Sequence, residues 1–363
     1  MMTDPSRAEI IRSFDPSGVG LENGNFCGLP FDYDTASIVL LGVPWEVTVS
    51  YHAGTARGPE AVRQASPQLD LYDLDHPDGW QQGLYMPPSP EWIRALNDDL
   101  RPVAAAVIAA TEQGRELASD RHLSAQLNAV NAGCDRVNQW LYATTQQAIA
   151  DGKRVGVIGG DHSVPLGLMR ALAAHYDSFG ILHIDAHADL RQAYQGFPYS
   201  HASIMHQAIA LPAVTRLVQV GIRDLSHGEV TTIQQSQGRI QTHYDPVLKE
   251  QRYSGTPWLK LCRDIIAPLP PQVYISFDVD GLDPKLCPGT GTPVPGGLEL
   301  EEAMALIRAV VRSDRQIIGF DVCEVGDSDW DGNVGARIVY KLCNLMGRSQ
   351  ISSPWPQGPE SPG

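Results

Sequence analysis

Residues 179–189 read FGILHIDAHAD, an apolar run that leads directly into three side chains of the kind that bind metal ions. The run predicts a buried strand from Gly180 to Asp185. Side chains alternate between the two faces of a strand, so Asp185, His187 and Asp189 share one face if the strand geometry continues. Two carboxylates crowded around an imidazole are costly unless a cation compensates them. The trio therefore predicts a metal site, with a solvated acidic strand end as the alternative.

Strands and helices alternate regularly from residue 153 onward. Further strands are predicted at 155–158, 216–221, 272–278 and 317–322, and helices at 166–176, 202–210 and 299–313. This alternation indicates an α/β fold in which helices cover both faces of a parallel sheet. Such sheets place their sites at the carboxyl ends of the strands, which is where the trio lies.

The remainder of the chain is expected to flank this α/β pattern. The sequence predicts a strand at 37–42, a helix from Gly58, a loop at 75–92 and a largely helical region at about 93–151. Residues 37–347 are expected to form a single domain. The domain boundaries leave an irregular N-terminal arm at 1–36, packed on the body or on a neighbouring subunit, and a disordered tail at 348–363.

Composition narrows the class of protein. A formal net charge of -15 argues against nucleic-acid binding and agrees with a cationic substrate. The sequence contains no run of about 18 apolar residues, which predicts that no segment spans a membrane. The N-terminal residues lack the apolar core of a signal peptide. The six cysteines form no CxxC pair, so we expect reduced thiols and a cytoplasmic protein.

Two other strand ends carry ligand-type residues. Asp278 and Asp280 share a face after the strand at 272–278, and His162 follows a glycine pair after the strand at 155–158. An acidic turn and a structural histidine are the respective alternatives. Together with the trio they make six ligands, which suit two divalent cations about 3.5–4 Å apart. Such a pair lowers the pKa of a bound water and indicates a hydrolase.

Four segments resemble the ureohydrolase family, which includes arginases, agmatinases and guanidine hydrolases. They are GGDHSVPLG (159–167), HIDAHADLR (183–191), SFDVDGLDP (276–284) and DVCEV (321–325), and the resemblance extends over roughly residues 36–346. It implies a three-layer α/β/α sandwich with a mostly parallel eight-stranded sheet. It also implies two divalent metal ions per subunit, either Mn or Ni, and a homotrimer or homohexamer.

The resemblance further assigns the ligands to two ions. One ion would be held by His162, Asp185, Asp189 and Asp278, and the other by Asp185, His187, Asp278 and Asp280. Asp185 and Asp278 would therefore bridge the two ions, whereas His187 and Asp189 would each serve one. Asp161 and His183 stand beside ligands and are expected to orient them.

Three residues match family positions that act on the substrate. Glu324 matches the glutamate that pairs with a guanidinium group, a geometry in which a carboxylate accepts two parallel N–H bonds. Asp280 and His201 match groups that exchange protons with the leaving amine or ammonia. Without the other motifs, Glu324 would be interpreted as a surface acid at a strand end. His201 would then be a polar residue at the start of a helix.

The loop RQAYQGFPYS (191–200) bears on the choice of substrate. Arginases have small polar residues there, so this bulky loop argues against arginine. Aromatic side chains could narrow the pocket until free guanidine alone fits, although they could instead pack loops: Trp45, Tyr194, Phe197 and Trp330. Together with residues 43–48 and 326–337, the loop looks similar to guanidine hydrolases of the agmatinase-like branch. We therefore expect guanidine, converted to urea and ammonia, ahead of agmatine and then other guanidino compounds.

Two hypotheses from other classes remain at this stage. A metal-dependent deacetylase has a related fold but usually keeps one Asp-His-Asp zinc site, whereas His162, Asp189 and Asp280 are all present here. An inactive ureohydrolase homologue with a regulatory role would be expected to have lost a ligand. The six-ligand set is complete, so the sequence favours an active enzyme.

Overall fold

An eight-stranded parallel sheet forms the middle layer of the computed structural model, which describes residues 6–351. The strand order is β2-β1-β3-β8-β7-β4-β5-β6, and every adjacent pair is parallel. The strands are β1 (Ile38–Val43), β2 (Leu84–Tyr85), β3 (Arg154–Gly159), β4 (Phe179–Ile184), β5 (Val214–Ile222), β6 (Ile240–Tyr244), β7 (Gln272–Asp278) and β8 (Gln316–Cys323).

Helices cover both faces of the sheet. Alternate side chains of β4 enter different hydrophobic clusters, with Ile181 in one and Leu182 and Ile184 in the other. The predicted three-layer sandwich is therefore confirmed, and the sheet is entirely parallel. The α-helices of the described residues are α1 (Arg7–Ser13), α2 (Gly58–Ala65), α3 (Glu91–Glu112), α4 (Arg121–Ala150), α5 (Leu166–His175), α6 (Ile204–Ile209), α7 (His227–Gln235), α8 (Asp245–Tyr253), α9 (Trp258–Ile266), α10 (Leu300–Arg312) and α11 (Asp329–Arg348).

The structure departs from the sequence-based expectations in two places. Residues 75–92 are not all loop, because β2 pairs with β1 at the edge of the sheet. A two-residue strand between prolines has no periodicity that a sequence pattern could show. Arg348 is the last residue of α11 and is buried, so the segment expected to be a disordered tail does not begin there. The other predicted tail residues from 352 onward lie outside the described residues.

The N-terminal segment packs on the protein's own sheet layer. Its described part contains α1, where the predicted arm was expected to be irregular. Phe26, Leu29 and Phe31 are buried in the same hydrophobic cluster as β1 side chains. The Arg7 guanidinium donates hydrogen bonds to the carbonyl of Gln81 and the hydroxyl of Ser37. Contact with a neighbouring subunit stays a prediction.

The topology decides where functional side chains can meet. Strands β3, β8, β7 and β4 are adjacent in the middle of the sheet, and parallel strands end at the same edge. The residues that follow these four strands therefore converge at one edge of the sheet. None of the helices within residues 6–351 is both long enough and apolar enough to cross a membrane.

Candidate metal centre and active site

The first group of ligands surrounds the imidazole of His162, just after β3. Its Nδ1 atom lies 3.0 Å from Oδ2 of Asp185, 3.1 Å from Oδ2 of Asp189 and 3.3 Å from Oδ2 of Asp278. All four side chains are buried. Neighbouring ligand atoms of a six-coordinate cation with bonds of about 2.1 Å lie about 3 Å apart. The spacing of these four residues, called here the first ligand set, therefore fits one divalent cation.

A second group of ligands lies on the other side of Asp185. Nδ1 of His187 is 3.0 Å from Oδ2 of Asp280 and 3.4 Å from Oδ1 of Asp185. We call Asp185, His187 and Asp280 the second ligand set. Oδ2 of Asp185 thus faces His162 of the first set and Oδ1 faces His187 of the second, where it also accepts a hydrogen bond from the backbone N–H of His187. A bridging role for Asp185 stays a prediction. The bridging role of Asp278 stays a prediction, because its Oδ1 accepts a hydrogen bond from the backbone N–H of Asp280 at 2.8 Å.

The carboxylates of this centre strongly perturb one another. Burial, followed by repulsion from Asp280 and Asp185, raises the pKa of Asp278 well above its usual value. Burial and the charge of Asp185 raise the pKa of Asp189 to about 6. Burial opposes the charged form of His162, yet hydrogen bonds to Asp185, Asp189 and Asp278 raise its pKa well above the ordinary range. The excess negative charge of the cluster favours the binding of cations.

Two of the functional side chains depend on strained backbone. Asp189 and Glu324 have φ angles of 53° and 62°, in the left-handed region that residues other than glycine rarely adopt. The carbonyl of Asp189 accepts hydrogen bonds from the N–H groups of Met205 and His206. The N–H of Glu324 donates to the carbonyl of Gly160 at 2.8 Å. Such strain, of about 1–3 kcal/mol per residue, persists where the surrounding structure holds it, often at functional sites.

Glu324 combines burial with an unused acceptor. Its Oε1 accepts a hydrogen bond from the backbone N–H of His162 at 3.0 Å, and its buried Oε2 has no hydrogen-bond partner among the described residues. Burial and the charges of Asp161 and Asp280 raise the pKa of Glu324 well above its usual value. A β-carbon at Gly291 would lie 2.9 Å from Oε2, so the glycine leaves room for the carboxylate in this position. The free oxygen suits a cationic N–H donor.

A cavity of about 160 Å³ opens beside the two ligand sets. The cavity is lined by Asp189, which belongs only to the first ligand set, and by His187, which belongs only to the second. The predicted substrate-contacting residues Tyr194 and His201 also line it. The full lining consists of Ser50, His187, Asp189, Arg191, Tyr194, His201, Ala202, Asp224, Leu225, Glu229 and Thr292.

His201 starts a short 3₁₀-helix in the wall of this cavity. Its ring lies edge-on to that of Tyr194, with 6.1 Å between ring centroids. Burial and the neighbouring imidazoles of His187 and His162 lower the pKa of His201 to about 3. The ring is therefore neutral near pH 7, so it has a lone pair with which to accept a proton.

Three of the four aromatic residues predicted to narrow the pocket lie elsewhere. Trp45 and Phe197 are each 1% exposed and pack in the hydrophobic core. Reciprocal backbone hydrogen bonds between Tyr194 and Phe197 form a tight turn, in which Tyr194 faces the cavity and Phe197 is buried. Trp330 is 53% exposed, lines a separate surface cavity between α2 and α11, and donates its indole N–H to the carbonyl of Lys285. The prediction that Trp45, Phe197 and Trp330 narrow the substrate pocket is therefore corrected, since none of the three lines the cavity beside the ligand sets.

The structure adds cavity residues that the sequence had not singled out. The Arg191 guanidinium stacks 4.9 Å above the Tyr194 ring, and its Nε lies 3.8 Å from Oε2 of Glu229. Glu229 accepts hydrogen bonds from the backbone N–H groups of Leu190 and Ser226. Arg191 stands two residues after Asp189, the last member of the trio, and that position was a signal for it. Glu229 belongs to the capping box of α7, a pattern that indicates only a helix start.

Residues behind the ligands were also missed. Nε2 of His162 lies 2.9 Å from Oγ of Ser276 and 3.5 Å from Oδ1 of Asp321. The hydroxyl of Tyr274 donates a 2.6 Å hydrogen bond to Asp321. Ser276 stands two residues before Asp278 on β7, so strand alternation could have placed it on the same face. These groups orient the imidazole so that Nδ1 faces the first ligand set.

Comparison with known proteins agrees with this geometry. A model of the arginase family matches residues 36–344. An N(1)-aminopropylagmatine ureohydrolase of Synechocystis sp. is 30% identical over 326 residues, which cover 88% of this chain and 92% of that protein. An agmatinase of Cronobacter sakazakii is 30% identical over 331 residues, which cover 88% of each chain.

Solved structures show the same fold. The agmatine ureohydrolase of Thermoplasma volcanium has a TM-score of 0.67 at 22% identity, over 94% of this chain and 98% of that one. The proclavaminate amidino hydrolase of Streptomyces clavuligerus also has a TM-score of 0.67, at 23% identity, over 92% of this chain and 100% of that one. The resemblance inferred from the four sequence segments is confirmed. The chain belongs to the arginase family of ureohydrolases, enzymes that hydrolyse amidine C–N bonds.

Proposed function

We propose that this protein hydrolyses guanidine to urea and ammonia. The observation that carries the proposal is the unpartnered, buried Oε2 of Glu324 beside the two ligand sets. A buried acceptor without a partner costs about 1–3 kcal/mol, which a bound donor would recover. Guanidinium is planar, remains cationic at neutral pH and donates parallel N–H bonds, so it matches this acceptor.

The two ligand sets would hold two divalent cations. Four carboxylates and two imidazoles suit either Mn or Ni, because carboxylates favour Mn and imidazoles are also accepted by Ni. When bound, the two cations would activate a water molecule for attack on the substrate. Asp185 would help to hold both cations, because its two oxygens face different histidines.

The remaining steps would belong to Glu324 and Asp280, beside the ligand sets, and to His201 in the cavity wall. Glu324 would hold the guanidinium plane, while its bond to the His162 N–H keeps its carboxylate in place. The departing nitrogen must gain a proton to leave as ammonia. Oδ2 of Asp280 lies 3.0 Å from Nδ1 of His187 and accepts a hydrogen bond from Thr292, a position from which it can transfer a proton. Neutral His201 provides a second proton acceptor in the cavity wall.

Charge in the cavity favours guanidine over agmatine. Arg191 lines the cavity, stacks on Tyr194 and has the Glu229 carboxylate 3.8 Å from its Nε. The distal ammonium of agmatine would approach this like charge, whereas guanidine has no second charge. The small volume of about 160 Å³ also favours the smaller molecule.

Agmatine is the second candidate, and one observation favours it. The carboxylate of Asp224 lines the same cavity and has no side-chain partner within the described residues, so it could receive a distal ammonium. The two curated relatives described above are named for agmatine or an aminopropyl derivative of it.

A substrate panel tests the proposal. Urea release is measured with guanidine, agmatine, aminopropylagmatine and arginine, using enzyme loaded separately with Mn and with Ni. We expect the highest kcat/KM for guanidine. Higher kcat/KM for agmatine or its derivative would overturn the substrate assignment. Absence of urea from every compound, with two metals bound, would overturn the proposed activity itself.

Assembly as a homotrimer or homohexamer is a further part of the proposal and rests on the family resemblance. Sedimentation equilibrium would measure the subunit number, and a monomer at micromolar concentration would contradict the proposal.

A further inference from the structure

A row of polar side chains crosses the sheet one layer beneath the metal ligands. The strand register pairs Thr242 of β6 with Gln219 of β5, Gln219 with His183 of β4, His183 with Ser276 of β7, and Ser276 with Asp321 of β8. Paired residues of neighbouring parallel strands point to the same face of a sheet. Four of the five are fully buried, and Thr242 at the edge is partly exposed.

Hydrogen bonds connect one half of this row to the shared ligand. The hydroxyl of Thr242 donates to Oε1 of Gln219 at 2.9 Å. Nε2 of Gln219 lies 3.0 Å from Nδ1 of His183 and donates to the carbonyl of Ala188 at 2.7 Å. Nε2 of His183 lies 2.8 Å from Oδ2 of Asp185. The chain therefore runs without a break from the edge strand to Asp185.

The direction of these bonds is determined by their partners. The carbonyl of Ala188 can only accept, so the amide nitrogen of Gln219 must face it, and the amide oxygen faces Thr242. The second N–H of Gln219 then points to Nδ1 of His183, which must accept. A neutral imidazole that accepts at Nδ1 carries its proton on Nε2. His183 therefore donates to Asp185.

We propose that Thr242, Gln219 and His183 form a positioning relay that holds the carboxylate of Asp185 toward both ligand sets. This inference rests on the proposed metal centre and names residues that determine its geometry. Thr242 and Gln219 form no hydrogen bond with the six ligand side chains, so they act through His183 and through the carbonyl of Ala188, which lies between His187 and Asp189. Their function is to keep one tautomer of His183 and thereby one orientation of Asp185. This action resembles that of the hydrogen-bonded groups that generally orient metal ligands.

The first variant to test is Gln219→Leu, which removes the donors to His183 and to the carbonyl of Ala188 at nearly constant volume. We expect the dissociation constant for Mn, measured by calorimetric titration of the metal-free protein, to rise roughly 10–100-fold. The matched control is Gln241→Leu on β6, next to Thr242 but on the opposite face of the strand. The control should bind Mn as the wild type does.

The second variant is a milder change, and it tests the relay even if Gln219→Leu does not fold. Thr242→Val removes only the hydroxyl, so the buried Oε1 of Gln219 loses its donor and the amide that donates to His183 is held less firmly, by the carbonyl of Ala188 alone. We expect Mn to bind several-fold more weakly, and Thr242→Ser to restore wild-type binding because it keeps the hydroxyl. The tautomer of His183 is measured by ¹⁵N NMR on protein that is loaded with zinc and labelled at its histidines. The signal of the His183 tautomer that carries its proton on Nε2 should weaken in Thr242→Val.

Two outcomes would overturn the relay. One is wild-type Mn affinity in Thr242→Val, with an unchanged His183 signature. The other is weaker Mn binding in Thr242→Val that Thr242→Ser does not restore, together with an equal loss of thermal stability in every variant. That pattern would indicate a merely structural role. Metal binding is measured without substrate. A wild-type protein that binds two ions and releases no urea would therefore defeat the proposed function and leave the relay standing.

Discussion

Glu324 and His162 are joined by a hydrogen bond of 3.0 Å from the backbone N–H of His162 to the carboxylate of Glu324. The backbone N–H of Glu324 donates in turn to the carbonyl of Gly160, two residues before His162. The loops after β3 and β8 are thus tied together by one bond between backbone groups and one bond from the backbone to the Glu324 carboxylate. The two bonds hold the proposed guanidinium acceptor at a fixed distance from the first ligand set.

Glu324→Gln should separate substrate binding from metal binding. The amide keeps the size of the side chain but loses the charge that strengthens hydrogen bonds to a guanidinium. A loss of about 3 kcal/mol corresponds to roughly a 100-fold fall in kcat/KM for guanidine. Metal content, measured by atomic emission, should stay at the wild-type level. Activity within a factor of three of the wild type would refute the assignment of Glu324.

Gly291→Ala should impair the same contact without changing any charged group. The added β-carbon would lie 2.9 Å from Oε2 of Glu324, closer than atoms in ordinary contact, so the carboxylate must move. We expect KM for guanidine to rise about tenfold. Gly228→Ala is a suitable control, because its β-carbon would meet its nearest neighbour at 3.9 Å. Unchanged kinetics in Gly291→Ala would show that this close approach is not needed.

Loss of individual ligands should reveal how Asp185 is shared. Its two oxygens face different histidines, so Asp185→Asn should weaken both cation sites and leave less than about one metal per chain. Asp189→Asn changes only the first ligand set and should leave about one. Metal analysis after dialysis distinguishes the two cases. Equal metal contents in the two variants would contradict the bridging arrangement.

Metal removal should lower stability as well as activity. Ligands that bind only the folded state stabilise it by about 2.7 kcal/mol at one hundred times their dissociation constant. Chelation should therefore abolish urea release and lower Tm by several degrees, and Mn or Ni should restore both. Calorimetric melting curves with and without chelator measure the shift. Full activity in thoroughly chelated protein would be inconsistent with the metal centre.

Arg191→Gln should change the preference among substrates. Removing the positive charge from the cavity relieves repulsion of a distal ammonium, so kcat/KM for agmatine should rise about tenfold relative to that for guanidine. A matched control is Arg263→Gln, on the exposed part of α9. The ratio of the two kcat/KM values is the measurement. A ratio equal to that of the wild type would show that Arg191 does not select the substrate.

The chain's own pattern of residues was sufficient for most of the sheet and for the approach of the candidate metal ligands to one another. Apolar runs identified the strands that carry the ligands, and alternation with helices implied that these strands are parallel. Parallel strands end at one edge, so Asp185, Asp278 and His162 had to approach one another. The short edge strand β2 escaped detection, because two residues carry no periodic signal.

Pocket residues were harder to predict because loops lack a repeating geometry. Tyr194 and Phe197 are three residues apart in one aromatic loop, yet a tight turn directs one to the cavity and the other to the core. Trp45 has similar chemistry and is also buried. Arg191 lines the cavity because of where the chain turns after Asp189, whose φ of 53° no sequence pattern predicts.

By itself the sequence determined that three candidate ligands follow β4 at every second position. It also determined that two more strand ends supply the remaining candidate ligands. Both could be predicted because strand alternation is a local property of the backbone. Tertiary structure alone decided that the oxygens of Asp185 diverge to His162 and His187. It also decided that the row from Thr242 to Asp321 lies beneath them. Both depend on register between strands that are distant in the chain, and register is settled only when the whole sheet packs.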